Sequence, residues 1–105
     1  VVIMATVTSK TLFRGAATTT VGTVLYTVPA STTTVVSNIA VSNTAATAAT
    51  FTFALAGTNL HTTAAIAANS TAYIDLKQVL VATNTITGGA SAITVSFHIS
   101  GVEIS

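Results

Sequence analysis

The side chains that could do chemistry in this chain are few. Its imidazoles are His61 and His98, and its carboxylates are Asp75 and Glu103. A zinc centre needs three or four ligands converging on one point, so nearly all of these residues would have to be spent on a single site. His98 falls on the polar phase of an alternating segment, where a solvated or interfacial imidazole is the ordinary outcome. No metal is expected. A Ser-His-Asp triad can be assembled on paper from any serine, either histidine and Asp75. The serines are plentiful and no G-x-S-x-G elbow holds one, so the coincidence carries no catalytic assignment. Asp75 and Glu103 could form a carboxylate pair, but Asp75 and Lys77, two apart on one strand face, read as an ordinary surface pair.

Other motifs resolve in the same way. Gly88-Gly89 has no following Lys-Ser/Thr and no helix to open, so it is read as a hairpin-type turn and not a phosphate loop. Lys10, Arg14 and Lys77 are too few to neutralise a phosphate backbone, so no nucleic-acid partner is expected. Asn69-Ser70-Thr71 fits a glycosylation sequon, a triplet that arises by chance in a Thr/Ser-rich chain. With no cysteine there is no disulfide framework, thiolate site or redox chemistry. The chain reads as non-enzymatic, with no cofactor.

The elements that carry these residues are strands. In Thr32 to Gly57, Val35, Ile39 and Val41 share one phase, interrupted by Ser37. Thr34, Asn38 and Ser42 occupy the other phase, blunted by Val36 and Ala40. Phe51, Phe53 and Leu55 then alternate with Thr50, Thr52 and Ala54. Side chains alternate across a strand, so each arm has one apolar and one polar or small face. Asn43 to Ala49 breaks the pattern, and the two arms are expected to pair as an antiparallel hairpin.

Around this pair, Lys10 to Phe13 reads as a first strand, ended by Arg14-Gly15. Thr23 to Val28 reads as a second, closed by Pro29. Leu60 to Ala68 suits either a strand or a short helical turn, and the surrounding pattern favours a strand. Thr71 to Leu76 and Val79 to Ala82 read as two separate strands. Ile93, Val95, Phe97 and Ile99 alternate with Thr94, Ser96, His98 and Ser100, and Gly101 marks a bulge or bend before Val102 to Ile104. About eight short strands with regular turn signals predict an all-β fold: a single antiparallel β-sandwich, jelly-roll-like or immunoglobulin-like. Residues 9–105 form the sandwich. Residues 1–8 are expected to be an N-terminal arm, with Val1 to Ile3 an extension upstream of a possible start at Met4.

Composition points to assembly. Only 5% of the 105 residues are charged, against roughly 25% in ordinary soluble domains, and Thr and Ala fill the gap at about a fifth of the chain each. The mean hydropathy of +0.80 would suit a membrane protein. Yet Thr, Ser or Asn interrupts every apolar run, and Val1 to Ala5 lacks the form of a signal peptide. A membrane barrel would need aromatic girdles, whereas the phenylalanines share phases with Ile and Val. Three cations, two anions and one proline are little protection for so many strand edges. Much of the surface is therefore expected to be covered by neighbours, in a homo-oligomer.

Three pieces taken together carry a resemblance: Leu25 to Ala30 (LYTVPA), Val35 to Thr44 (VVSNIAVSNT) and Val95 to Ile104 (VSFHISGVEI). Between them, Ile66 to Ser70 is similar to an I-P-A-N/G-S turn, with Ala67 in place of the proline. Across residues 21–104 the chain resembles the small β-sandwich virion structural proteins of tailed bacteriophages. The resemblance implies a capsid decoration (cement) protein at the capsid surface of the virion, or a neck, tail or fibre module. Its partners would be the major capsid protein or other virion proteins, and its own copies, with a homotrimer favoured. The residues expected to make contact are Val1, Val2, Ile3, Met4 and Ala5 of the arm, with Tyr26, Tyr73 and His98.

Overall fold

The computed structural model describes residues 6–105. Eight strands follow one another: β1 (Val7–Ala16), β2 (Val24–Thr27), β3 (Thr33–Asn43), β4 (Ala49–Leu55), β5 (Thr58–Ile66), β6 (Ser70–Leu80), β7 (Thr85–Ala90) and β8 (Val95–Ile104). They form two four-stranded antiparallel sheets, β1-β8-β3-β6 and β2-β7-β4-β5. The pairings nest: β1 with β8, β2 with β7, β3 with β6 and β4 with β5. The chain is thus one long hairpin, closed at β4–β5 and rolled until β3 meets β8 and β4 meets β7. This is jelly-roll connectivity, not the immunoglobulin-like alternative.

The expected hairpin of β3 and β4 is corrected, because the two strands lie in different sheets. Their apolar faces meet across the core instead of lying side by side. Asn43 shapes the crossing and is almost fully buried. Its Nδ2 donates to Thr47 O at 2.8 Å and Ala67 O at 3.3 Å, while its Oδ1 accepts from Ala45 N at 3.1 Å and Thr94 Oγ1 at 3.3 Å. One amide ties three connections together, and all its groups are satisfied where water is excluded.

β3 also departs from simple alternation. Val36 pairs with Gly101 and Asn38 with Ser100, leaving Ser37 as an extra residue in a bulge. The bulge shifts the phase, so Thr34 and Val36 face inward before it and Ile39, Val41 and Asn43 after it. Across β8, β1 bulges at the same level: Thr11 pairs with Ser100 and Phe13 with Ile99, with Leu12 between them. Gly101 itself is paired on both sides and carries no bulge. A Cβ there would press into the Val35 carbonyl oxygen, so glycine is needed for close approach.

Gly88 and Gly89, expected in a turn, lie inside β7. A Cβ on Gly88 would stand 2.8 Å from the Phe53 ring, and one on Gly89 would stand 2.6 Å from Thr20 O. The loop before β2 causes the second approach. It lies along β7, with Gly88 N donating to Thr23 O at 3.0 Å and Ala90 N to Thr18 O at 2.9 Å. Thr71 to Leu76 and Val79 to Leu80 form one strand, and Leu60 to Ile66 is strand, as favoured. β1 begins at Val7, inside the segment assigned to the arm, because Val7 pairs with Ile104.

The core lies between the sheets. Val36, Ile39, Val41, Phe97 and Ile99 from the first meet Phe51, Phe53, Leu55 and Ile86 from the second. At its centre the Phe53 and Phe97 rings are 4.4 Å apart, tilted by 53°.

Candidate docking face

Two groupings of side chains stand out, one between the sheets and one on the outside. Glu103 shares the inward phase of Val95, Phe97 and Ile99 on β8. It lies opposite Thr34 of β3. Across the interior, β2 presents Tyr26, whose hydroxyl donates to Glu103 Oε2 and lies 2.9 Å from Thr34 Oγ1. At the rim, Lys10 Nζ sits 3.3 Å from Glu103 Oε2. The group is a polar clamp between the two sheets.

Its electrostatics follow from this geometry. The Tyr26 hydroxyl bonded to Glu103 holds that carboxyl below the ordinary glutamate range, against the opposing effect of burial and with help from Lys10. Burial, and then the bond to Glu103, push the Tyr26 phenol above its usual value. The lowered carboxyl contributes stability above its ordinary value of about 4.5, and the contribution is lost as pH falls through the folded-state value. The raised phenol contributes below its ordinary 10.0, and that contribution is lost as pH rises through the folded-state value. Glu103→Gln should therefore cost about 1–2 kcal/mol at neutral pH. The gap from wild type should close in acid, as read from denaturant midpoints at a series of pH values. A gap constant with pH would show that the charge is not what the clamp uses.

Tyr26, expected at an interface, is corrected to this interior position, with only 8% of its surface exposed. It serves packing and the clamp and is not presented to an outside partner. Tyr73 and His98 are placed differently. On the outer face of the β1-β8-β3-β6 sheet, Arg14 lies opposite His98, His98 opposite Ala40, and Ala40 opposite Tyr73. The register thus brings Arg14, His98 and Tyr73 into one row across four strands. Ala40 leaves the middle of that row low, and Tyr73 is 73% exposed. Val1, Val2, Ile3, Met4 and Ala5 lie outside the described residues.

The rest of this face is hydroxyl-bearing toward one end and apolar toward the other. Ser96, Ser42 and Thr71 form the row on one side of Arg14-His98-Ala40-Tyr73, and Ser100, Asn38 and Asp75 the row on the other. Asn38 Nδ2 donates to Asp75 Oδ1 at 3.1 Å, so the partner of Asp75 is Asn38 and not the expected Lys77. Beyond the bulges, Val102, Val35 and Val79 align, followed by Ile104 beside Val7. Val7 and Val79 are both exposed. Two shallow depressions of about 420 and 500 Å³ meet at bulged Ser37.

The catalytic and metal alternatives are not assembled. His61 lies on β5 of the other sheet, its ring 5.9 Å from that of Phe51, far in the topology from His98 on β8. Asp75 faces outward on edge strand β6 while Glu103 faces inward on β8, so the two carboxylates form no pair. Among the described residues no group of three His, Cys, Asp or Glu side chains could hold a metal ion. Among the described residues no helix is long and apolar enough to cross a membrane. Compared with protein-family models and with curated proteins, the chain matches none.

Proposed function

We propose that this chain is a non-enzymatic structural protein of a tailed-bacteriophage virion, acting as a capsid decoration protein that cements the shell. The observation that carries the reading is the outer face of the β1-β8-β3-β6 sheet. It is a broad surface carrying Arg14, Asp75 and Lys77, whose valine and isoleucine end and exposed Tyr73 have no cover among the described residues. Exposed apolar side chains gathered on one face mark an interaction site. The jelly roll supports the same reading at the level of architecture, since viral capsid domains use it among other proteins.

The cementing mechanism is burial of that face across junctions of the major capsid protein. Many weak contacts, repeated by symmetry, stabilise each subunit by mass action. The test is cryo-electron microscopy of intact particles, asking where the density of this chain sits. Placement in the neck, tail or fibre would keep a virion role and remove the cementing one.

A further inference from the structure

We propose that the chain pairs with a second copy of itself along β6, in a single register, forming a two-fold dimer with one sheet continuous through both molecules. β6 is the outermost strand of its sheet and runs for 11 residues. One edge bonds to β3, and no turn or loop among the described residues bonds to the other. Proteins ordinarily blunt such an edge with proline, several charges, a bulge or a covering element. β6 has no proline, its charged residues are Asp75 and Lys77, and its one register shift lies on the β3 side, where Leu76 and Lys77 stand opposite bulged Ser37. Its outward side chains are Thr71, Tyr73, Asp75, Lys77 and Val79, with Tyr73 and Val79 exposed by 73% and 62%.

Symmetry limits the registers. An antiparallel pair about a two-fold axis is centred on a residue that faces its own mate, which also keeps outward side chains on one face. Centring on Asp75 sets two carboxylates against each other, and centring on Lys77 sets two ammonium groups together. Centring on Leu76 instead places Asp75 opposite the second copy's Lys77 and Lys77 opposite its Asp75. In the same register Tyr73 faces Val79 and Val79 faces Tyr73. Opposite charges and aromatic/β-branched pairs directly across are the favourable cross-strand combinations.

The other edges lack this complementarity. β1 carries Lys10 and Arg14 but no acid, and β2 has four residues. β5 has no Asp, Glu, Lys or Arg, and Thr63 interrupts it at a φ of 50°. The self-complementarity of β6 is two-fold, so a dimer replaces the expected trimer as the unit of assembly. The inference goes beyond the virion role and does not depend on it, since it concerns the isolated chain.

The experiment is analytical ultracentrifugation of the purified chain and three variants. Asp75→Lys and Lys77→Asp each create two like-charge contacts at the axis and should each weaken dimerisation by about tenfold or more. The combined D75K/K77D exchange should restore it to within about threefold of wild type. Lys77→Asp leaves the Asn38–Asp75 bond in place, which separates loss of the dimer from loss of that bond. Circular dichroism confirms that each variant is folded. Because the chain has no cysteine, Leu76→Cys reads the register directly: oxidation should give a covalent dimer, and Asp75→Cys should not. A monomeric wild type at millimolar concentration, single variants that associate like wild type, or cross-linking through position 75 would each overturn the proposal.

Discussion

Replacing Phe53 with alanine should destabilise the fold by about 3–5 kcal/mol, the usual range for removing a buried phenylalanine from a core. Phe53 is fully buried, and it is the point at which the two sheets interlock. Its ring meets Phe97 of the opposite sheet at 4.4 Å with a 53° tilt, and meets Phe51 edge-on at 5.7 Å. β4 is held between β5 and β7, so these strands cannot close over the void without breaking their own ladders. Domains are stable by about 5–15 kcal/mol in total, so the loss is about a fifth or more of what holds the chain folded. Guanidinium unfolding of the wild type, Phe53→Ala, Phe97→Ala and the double variant measures it. The two rings should show a coupling of roughly 0.5–1.5 kcal/mol. Additive losses would mean that the rings fill space independently.

The second large effect is expected at Gly101. An added methyl would push into the Val35 carbonyl oxygen and reach within 3.1 Å of Leu12 Cδ1. The carbonyl is backbone and already held in the β3 ladder, so β3 itself would have to move. Overpacking typically costs 1–3 kcal/mol, and a backbone obstacle puts Gly101→Ala at about 3 kcal/mol or above. Gly22→Ala is the control: nothing stands within 4 Å of its would-be Cβ. There the methyl should be neutral or stabilising by up to about 1 kcal/mol, through the unfolded chain. Equal effects at the two positions would show that the paired bulges do not press on β8.

What the sequence discloses and what it hides differ by residue. The alternation of Phe51, Phe53 and Leu55, and that of Val95, Phe97 and Ile99, identifies inward faces that are indeed buried, whereas Ile93, read in the same alternation, lies before β8 and is exposed. β3 misleads because a bulge is invisible to a period-two pattern. Val35 shares the parity of Ile39 and Val41, yet the extra residue Ser37 hands the inward position to Val36. Gly88-Gly89 and Gly101 look like punctuation. In a strand, absence of a side chain is equally a sign that another backbone approaches closely.

The polar clamp left a faint signal. Glu103 continues the apolar phase of β8 through Gly101, and an acid on such a phase requires a partner. Tyr26 is the partner, but only the rolled topology brings β2 over the end of β8. The row of Arg14, His98 and Tyr73 is hidden for the same reason, since three strands distant in sequence are aligned by register alone.

The most direct measurement is a reconstruction of intact virions at a resolution that separates strands. The cementing account predicts one copy or cluster of this eight-stranded sandwich at every equivalent position of the icosahedral shell. In each, the Val35, Val79 and Val102 end of the outer face and the Arg14-His98-Tyr73 row should be turned toward neighbouring subunits. Density confined to the neck, tail or fibre, or shell-bound copies with that face turned to solvent, would contradict it.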